Sequence, residues 1–530
     1  MPSQHTFDGD ALLTGRPRPC CDRAGSAFQQ EVSFMASRPT VGMLSPDDVR
    51  LVHEASLEIL ERTGVLYENK TALDVLEAHG QKVDRDKGVA YIKPDLVEKC
   101  IKSAPRKFVL ASRDGKKDAV IDGQQMHHMT DGQASFTLDE TTGERRSSTL
   151  HDLCLSTLLA DALDPVHVMW STVFPTDAST DRRALFECAA SFMWSTKHFQ
   201  MVGGVQDPDD VQYILEMIDI VYGDRRAQRD RPIFSMVTCP VSPFKHDDAM
   251  TEACIMLAKE WVPIVFWPMP LQGATAPITM AGTLLVTNAE FLSGLVLYQC
   301  VQPGLPMIYP AGPETLDMKT GLASTASPEG ILLNLPFAQM TEFYGVPYMA
   351  GGICSDAKVP GIQAGYENMA TGMTAALSGC DLLVGIGILE DGNTLSFPQM
   401  VIDEEICNIL SFVRNGMEVT RETLMVDSIH KVGHSPNHHL GQPFTREFLK
   451  SGQGYWPRIS FRGTHGDWKR RGKDEVQLAR DRMKLLLDKH ETQMLPDVAQ
   501  KELRRILAAR TDYAPNDPRI EGVFRHPWRG

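Results

Sequence analysis

The 530-residue chain is 42% apolar, enough for a large buried core and longer than one average domain requires. Its 53 Lys and Arg against 68 Asp and Glu leave a net charge of −15. That balance argues against sequence-independent nucleic-acid binding, which needs a cationic surface to neutralise phosphates, and it suits a cationic ligand.

Residues 1–40 lack periodicity and read as a flexible N-terminal extension. Order starts at Ser45, an N-cap followed by Pro46, Asp47 and Asp48. Val52, Ala55, Ile59 and Leu60 form an apolar helical stripe, and Gly64 can end that helix. Short helices near 71–79 and 94–104, with turn signals at Ser112–Gly115, Ile121–Gly123 and Asp139–Gly143, complete an α+β region over 41–165.

The pattern then changes. Strands are expected at Val166–Phe174, Phe199–Val205, Ile233–Cys239, Pro263–Pro268, Pro306–Tyr309, Pro347–Gly351 and Leu382–Ile388, with Leu424–Ile429 as an eighth. Helices are expected at 181–195, 208–222, 246–260, 279–300, 328–344, 361–378 and 402–415. Continuous apolar strands signify burial on both faces, hence a parallel sheet. Repeated β–α units favour an α/β fold of the (β/α)8 TIM-barrel type over 166–490. No Gly-rich dinucleotide fingerprint follows the first of these strands, which disfavours a doubly wound sheet. Glu475–Leu487 reads as helical; residues 491–530 read as a C-terminal helix and tail, irregular beyond Arg510.

Eleven scattered Cys, none in a C-x-x-C pair, suggest mostly buried thiols in a reducing cytoplasm. The first residues show no basic-then-apolar signal pattern. Leu284–Val301, the most apolar long segment, is interrupted by Asn288, Glu290 and Gln299, so it reads as a core helix and not a membrane span.

In a barrel, function sits where strands end. Trp170, Phe174, Trp267 and Tyr309 are candidates for an aromatic cage, whose ring faces attract quaternary ammonium. The alternative is that they cap the barrel core. Glu314, Asp356 and Asp391 are candidate catalytic carboxylates that balance a cationic nitrogen, beside Glu390. Helix capping explains Asp356 and Asp391 as well. Lys358 offers a point charge to a substrate carboxylate, with Gln363 nearby in the same loop. His430, His434, His438 and His439 lie close in sequence without the spacing of a zinc motif, so no metal site is expected. His434 is the one expected to donate to a substrate carboxylate. WKRRGK, Trp468–Lys473, reads as solvated surface.

The block Trp267–Leu297, WPMPLQGATAPITMAGTLLVTNAEFLSGLVL, is the most specific of several distinctive stretches. Others are HEASLEILERTGV, KSAPRKFVLASRD, QPGLPMIY, GGICSDAKVPGIQAGYEN and MVIDEEI. Together, over residues 44–490, they resemble the trimethylamine methyltransferase (MttB) superfamily. The resemblance implies a TIM barrel that moves a methyl group from an amine to the cob(I)amide of a separate small corrinoid protein docked at the barrel mouth. The cobalamin would thus come with the partner, none being tightly bound to this chain. Gln272 and Gly273 in the distinctive block are the candidate cofactor-facing residues.

The first-known members carry pyrrolysine and use trimethylamine. This chain has none and looks like the pyrrolysine-free branch that acts on quaternary amines such as glycine betaine, proline betaine or carnitine. The chemistry agrees: a quaternary ammonium leaves as a neutral amine and needs no proton donor, so capture, orientation and water exclusion suffice. Rival readings are a TIM-barrel lyase or metal-assisted hydrolase using Lys358 or the histidines, a non-catalytic betaine binder, or direct methyl transfer to folate. Neither nucleic acid nor membrane is an expected partner; a homo-oligomer is compatible with the sequence.

Overall fold

The computed structural model describes residues 38–529, apart from 179–180, 224–225, 313, 435, 452–453, 512 and 515. The expected extension over residues 1–40 falls, except for its last three residues, outside this range.

Eight parallel strands form a closed barrel in chain order. They are β1 (His127–Thr130), β2 (Val166–Met169), β3 (His198–Val202), β4 (Phe234–Thr238), β5 (Ile264–Phe266), β6 (Met307–Ala311), β7 (Tyr348–Gly351) and β8 (Leu382–Ile386). The ring closes where β8 pairs with β1. A helix follows each strand: α1 (Leu150–Ala162), α2 (Arg183–Trp194), α3 (Asp210–Tyr222), α4 (Asp248–Lys259), α5 (Met280–Val301), α6 (Pro328–Tyr344), α7 (Ile362–Ser378) and α8 (Phe397–Asn415). This is the (β/α)8 TIM barrel that the repeated units indicate.

One strand differs from expectation. The eighth is not Leu424–Ile429, which lies in two short helices, Arg421–Leu424 and Val426–Val432, and exposes both Leu424 and Ile429. It is β1, within the stretch expected as an N-terminal α+β region. Its sequence, HHMT, has no apolar run to mark it, although all four residues are buried. Beyond Arg510, Pro518–Phe524 is helical and not irregular; its Val523 carbonyl accepts the indole N–H of Trp194 on α2 at 2.7 Å.

Strand alternation sorts the core. Met129, Val168, Val237, Val265, Ile308, Met349, Leu382 and Val384 pack inside the barrel with Trp170 and Trp267. Residues of the other parity, such as Phe199, Phe234, Phe266 and Tyr309, pack outward against the helices. Helix α5 is apolar on all sides because it is buried on all sides, from Thr283 nearly to its end. It is the one helix among the described residues long and apolar enough to cross a membrane, and 78% of its most apolar window is buried in the fold. Its Gly294 lets the helix approach the barrel: a Cβ there would sit 2.4 Å from the ring of Phe266.

The first helix, Pro46–Arg62, starts at Ser45, whose side chain accepts from the Asp48 N–H while the Asp48 carboxylate accepts from Ser45 in return. The strand Val65–Tyr67 pairs in parallel with Lys245–His246 from the loop after β4, tying the N-terminal region to the barrel. A hairpin, Phe108–Leu110 with Ala119–Ile121, closes the end of the barrel opposite the mouth, its Leu110, Ala119 and Ile121 joining the inner core. There Asp381, 1% exposed at the side chain, gathers both terminal nitrogens of Arg106 at 3.1 Å, the Gly123 N–H at 2.8 Å and the Tyr348 N–H at 2.9 Å. Removing one partner of a buried pair strands the other. Asp381→Ala is therefore expected to cost about 3–5 kcal/mol in urea unfolding. A loss below about 1 kcal/mol would show that the carboxylate does not hold this end together.

Candidate active site

A cavity of about 170 Å³ opens at the C-terminal tips of the strands. Its lower wall is the inward row of the barrel: Trp170, Val202, Val237, Trp267 and Val384. Two small sheets raise the sides. One joins Leu271–Gln272, Glu314–Leu316 and Ala323–Ser324; the other joins Ile388–Leu389, Thr394–Leu395, Phe136–Leu138 and Arg145–Ser147.

Trp170 and Trp267 meet edge to face, with ring centroids 5.2 Å apart and planes at 63°. The Trp170 indole N–H donates to Gln200 Oε1 at 2.7 Å, which fixes that ring. Trp267 is 5% exposed, and its Nε1 has no hydrogen-bond partner among the described residues. Its ring is held from behind by Gly312: a Cβ at that position would lie 2.7 Å from Nε1 and 2.8 Å from Cζ2. Glycine is required there by space.

Three carboxylates line the same cavity as these rings: Asp131, Glu314 and Asp391. Asp131 ends β1 and is pushed up to about 6 by burial, with Asp391 adding repulsion. Glu314 is pushed up to about 7 by burial, helped by Asp391 and Asp356. Asp391 accepts the Thr325 N–H at 3.0 Å, and its own N–H donates to Ser355 O at 3.0 Å. It sits in a turn where both Glu390 (φ 57°) and Asp391 (φ 52°) are left-handed, a conformation costly for residues with a side chain. Asp356 lies just behind: one oxygen accepts from Ser324, the other is buried without a partner, and burial raises its pKa. Two thiols, Cys239 and Cys354, also line the wall. Burial and the nearby carboxylates raise the Cys354 thiol, which stays protonated and weakly nucleophilic; Cys239 is exposed to the pit and is raised by the same surroundings.

The other sequence candidates lie elsewhere. Tyr309 is not at the mouth: the parity of β6 turns it outward, where it stacks on Phe291 at 3.9 Å and its hydroxyl donates to Asn288 at 2.9 Å. Phe174 lies under the Arg183 guanidinium, 3.2 Å from ring centroid to Cζ, and is not among the cavity-lining residues. Lys358 is exposed and its Nζ donates to the Asp356 carbonyl at 2.8 Å; exposed Gln363 donates to Glu367 at 2.9 Å. Both brace the loop that carries Asp356. Gln272 donates to Ile278 O at 2.8 Å and accepts from Thr315 at 3.3 Å, and Gly273 has φ 87°, so these two shape the loop beside Glu314. His430, His434, His438 and His439 are exposed, and among the described residues no group of three His, Cys, Asp or Glu is placed to hold a metal ion. Asp131, Cys239 and Cys354 escaped the sequence reading. The signal for Asp131 was its place two residues beyond inward-facing Met129, in a strand the pattern does not reveal.

A barrel with a small, acidic, aromatic-walled pit at its mouth defines a small-molecule enzyme of the TIM-barrel class. A family model described as "Trimethylamine methyltransferase (MTTB)" matches residues 14–515. The chain is 31% identical over 469 residues to "Trimethylamine methyltransferase MttB" of Desulfitobacterium hafniense (strain DSM 10664 / DCB-2), covering 88% of this chain and 94% of that protein. It is equally 31% identical over 474 residues to "Glycine betaine methyltransferase" of Desulfitobacterium hafniense (strain Y51), covering 89% and 98%. Among solved structures, the monomethylamine methyltransferase (MtmB) of Methanosarcina barkeri aligns at 12% identity with a TM-score of 0.43, covering 83% of this chain and 92% of that one. The chain belongs to the trimethylamine methyltransferase family and is a methyltransferase.

The raised pKa of Glu314 has a sign that stability can report. Its unfolded carboxyl ionises near the ordinary value, its folded one only near 7, so ionising it costs stability as pH rises between these limits. Glu314→Gln should thus raise Tm at pH 8, with the gain fading toward pH 4.5. A gain independent of pH would assign the effect to packing.

Proposed function

We propose that this methyltransferase takes a methyl group from a methylated cationic nitrogen, a quaternary ammonium foremost, and passes it to the Co(I) centre of a corrinoid carried by a separate small protein. The observation that carries this reading is the Trp170–Trp267 pair lining one pit with Asp131, Glu314 and Asp391. Aromatic faces attract a quaternary ammonium without hydrogen bonds, and carboxylates balance its charge.

The pit has room for a small amine and not for a macrocycle, which fits a corrinoid that stays with its partner above the mouth. The rim supports such docking. Met269 and Ile278 after β5, Met318 and Leu322 after β6, and Val359 and Ile362 after β7 are large apolar residues left exposed, Ile362 by 90%. Exposed apolar surface gathered around a polar pit marks an interaction site. When bound, the corrinoid supplies the nucleophile.

The chain's own residues do the rest. The two indoles orient the cation and shed water from around it. The carboxylates hold the positive charge in place. The protonated thiols of Cys239 and Cys354 do not compete for the methyl group. The departing amine is neutral, so no side chain need deliver a proton. We also propose a reducing cytoplasmic setting for the nine free cysteines among the described residues.

Glycine betaine is the substrate in the name of one relative. The side chains expected to meet its carboxylate, Lys358 and His434, do not line the pit, and neither does Gln363.

The test is anaerobic. The protein is mixed with reduced corrinoid and a panel of methylated ammonium compounds, and loss of the Co(I) absorbance is followed. At least one cation should consume Co(I) and yield the amine with one methyl fewer. No consumption across the panel, with a corrinoid shown to be reactive, would reject the reaction. Trp267→Ala should weaken binding of that cation by about 0.5–2 kcal/mol, roughly 2- to 30-fold. Unchanged affinity in a folded variant would remove Trp267 from the site.

A further inference from the structure

We infer that the pit selects a methylated ammonium that carries no anionic group, so that a zwitterion such as glycine betaine is the poorer ligand. This rests on the proposed function and narrows its substrate class.

The first ground is the lining. It holds Asp131, Glu314 and Asp391, and among the described residues no Lys, Arg or His. A bound carboxylate would face three acidic side chains without a cationic partner.

The second ground is the supply of donors. The Asn334 side-chain N–H donates to Gly330 O at 3.4 Å, and the Ser355 hydroxyl donates to Glu367 at 2.7 Å. The Gly330 N–H is taken by Ser327 at 3.1 Å and the Thr325 N–H by Asp391. Trp267 lines the pit, but its Nε1 is buried against Gly312, without a partner among the described residues, and so offers a bound carboxylate no open donor. A carboxylate has about four lone-pair sites to satisfy and a full charge to balance.

The third ground is the electrostatic setting. Asp131, Glu314 and Asp391, with the thiols of Cys239 and Cys354, surround the same space from beyond the tips of β1, β4, β6, β7 and β8, and Asp356 lies just behind them. Glu367 stands behind Asp356, Lys358 is turned to the Asp356 carbonyl on the exposed side, and Arg145 is paired with Glu390 at 2.8 Å. Asp131 and Glu314 already resist ionisation because they are buried beside other carboxylates. A cation relieves that repulsion, whereas a carboxylate adds to it.

The experiment titrates the whole protein, without corrinoid, by calorimetry or by tryptophan fluorescence. Its probes are choline, tetramethylammonium, glycine betaine, glycine betaine methyl ester and 3,3-dimethylbutan-1-ol, the uncharged shape analogue of choline. Choline and the methyl ester should bind at least tenfold more tightly than glycine betaine, and the uncharged alcohol should bind more weakly than choline. Glu314→Gln should narrow the gap between the ester and glycine betaine. Glycine betaine binding as tightly as its ester would overturn the inference, as would no binding by any cation. Repeating the panel with Co(I) separates the two claims. Selective binding without methyl loss would sink the proposed reaction and leave this selectivity standing. Demethylation of a tightly held glycine betaine would do the reverse.

Discussion

In a parallel barrel, successive residues of each strand face opposite ways, and that parity governs the rest of this molecule. Val168 and Trp170 point inward, as do Val265 and Trp267; the apolar members of these pairs build the inner core, and the indoles at their tips become the wall of the pit. The same count along β6 and beyond it gives Ile308, Gly312 and Glu314 to the inside and sends Tyr309 to the helix layer. On β1 it gives Met129 and then Asp131. The site is thus the continuation of the barrel core past the point where apolar packing ends.

That origin explains its electrostatics. Carboxylates placed at the end of a packed apolar column are poorly solvated and crowd one another, so their charge is costly until a cation arrives. Elements outside the core hold them there. Ser324 and Glu367 fix Asp356, Thr325 and Ser355 hold the Asp391 turn, and the pairing of Leu271–Gln272 with Glu314–Thr315 sets Glu314. Binding energy is in this way stored in groups that lack counter-charges, a form of preorganisation.

Much of the fold was legible because seven barrel strands are short, mostly apolar and separated by helical periods, and several helices start or stop at capping residues such as Thr279, Ser327 and Gly379. The missing strand shows the limit. His127 and His128 are polar by composition, yet they are buried through contacts with Val120 O and Ser411 that no local pattern announces. At the site, Trp170, Trp267, Glu314 and Asp391 were visible as unusual residues at strand ends. Lys358 lies in the loop after β7, Gln363 in the first turn of α7 and His434 just after the helix Val426–Val432, and only the packing of Asp356 and Glu367 shows where the first two point. Sequence identifies which residues stand near the mouth; parity and loop bracing decide which of them look into it.

The pairing of Val65–Tyr67 with Lys245–His246 has a further meaning. The small N-terminal sheet is completed by two residues that belong to the barrel loop after β4. Any event that separates the two parts would leave Val65–Tyr67 with an unpaired edge and its buried Val65 and Tyr67 without cover. Such an edge is a template for pairing with another chain. Displacing the N-terminal region from the barrel thus favours self-association, a failure of solubility that would set in before any failure of chemistry.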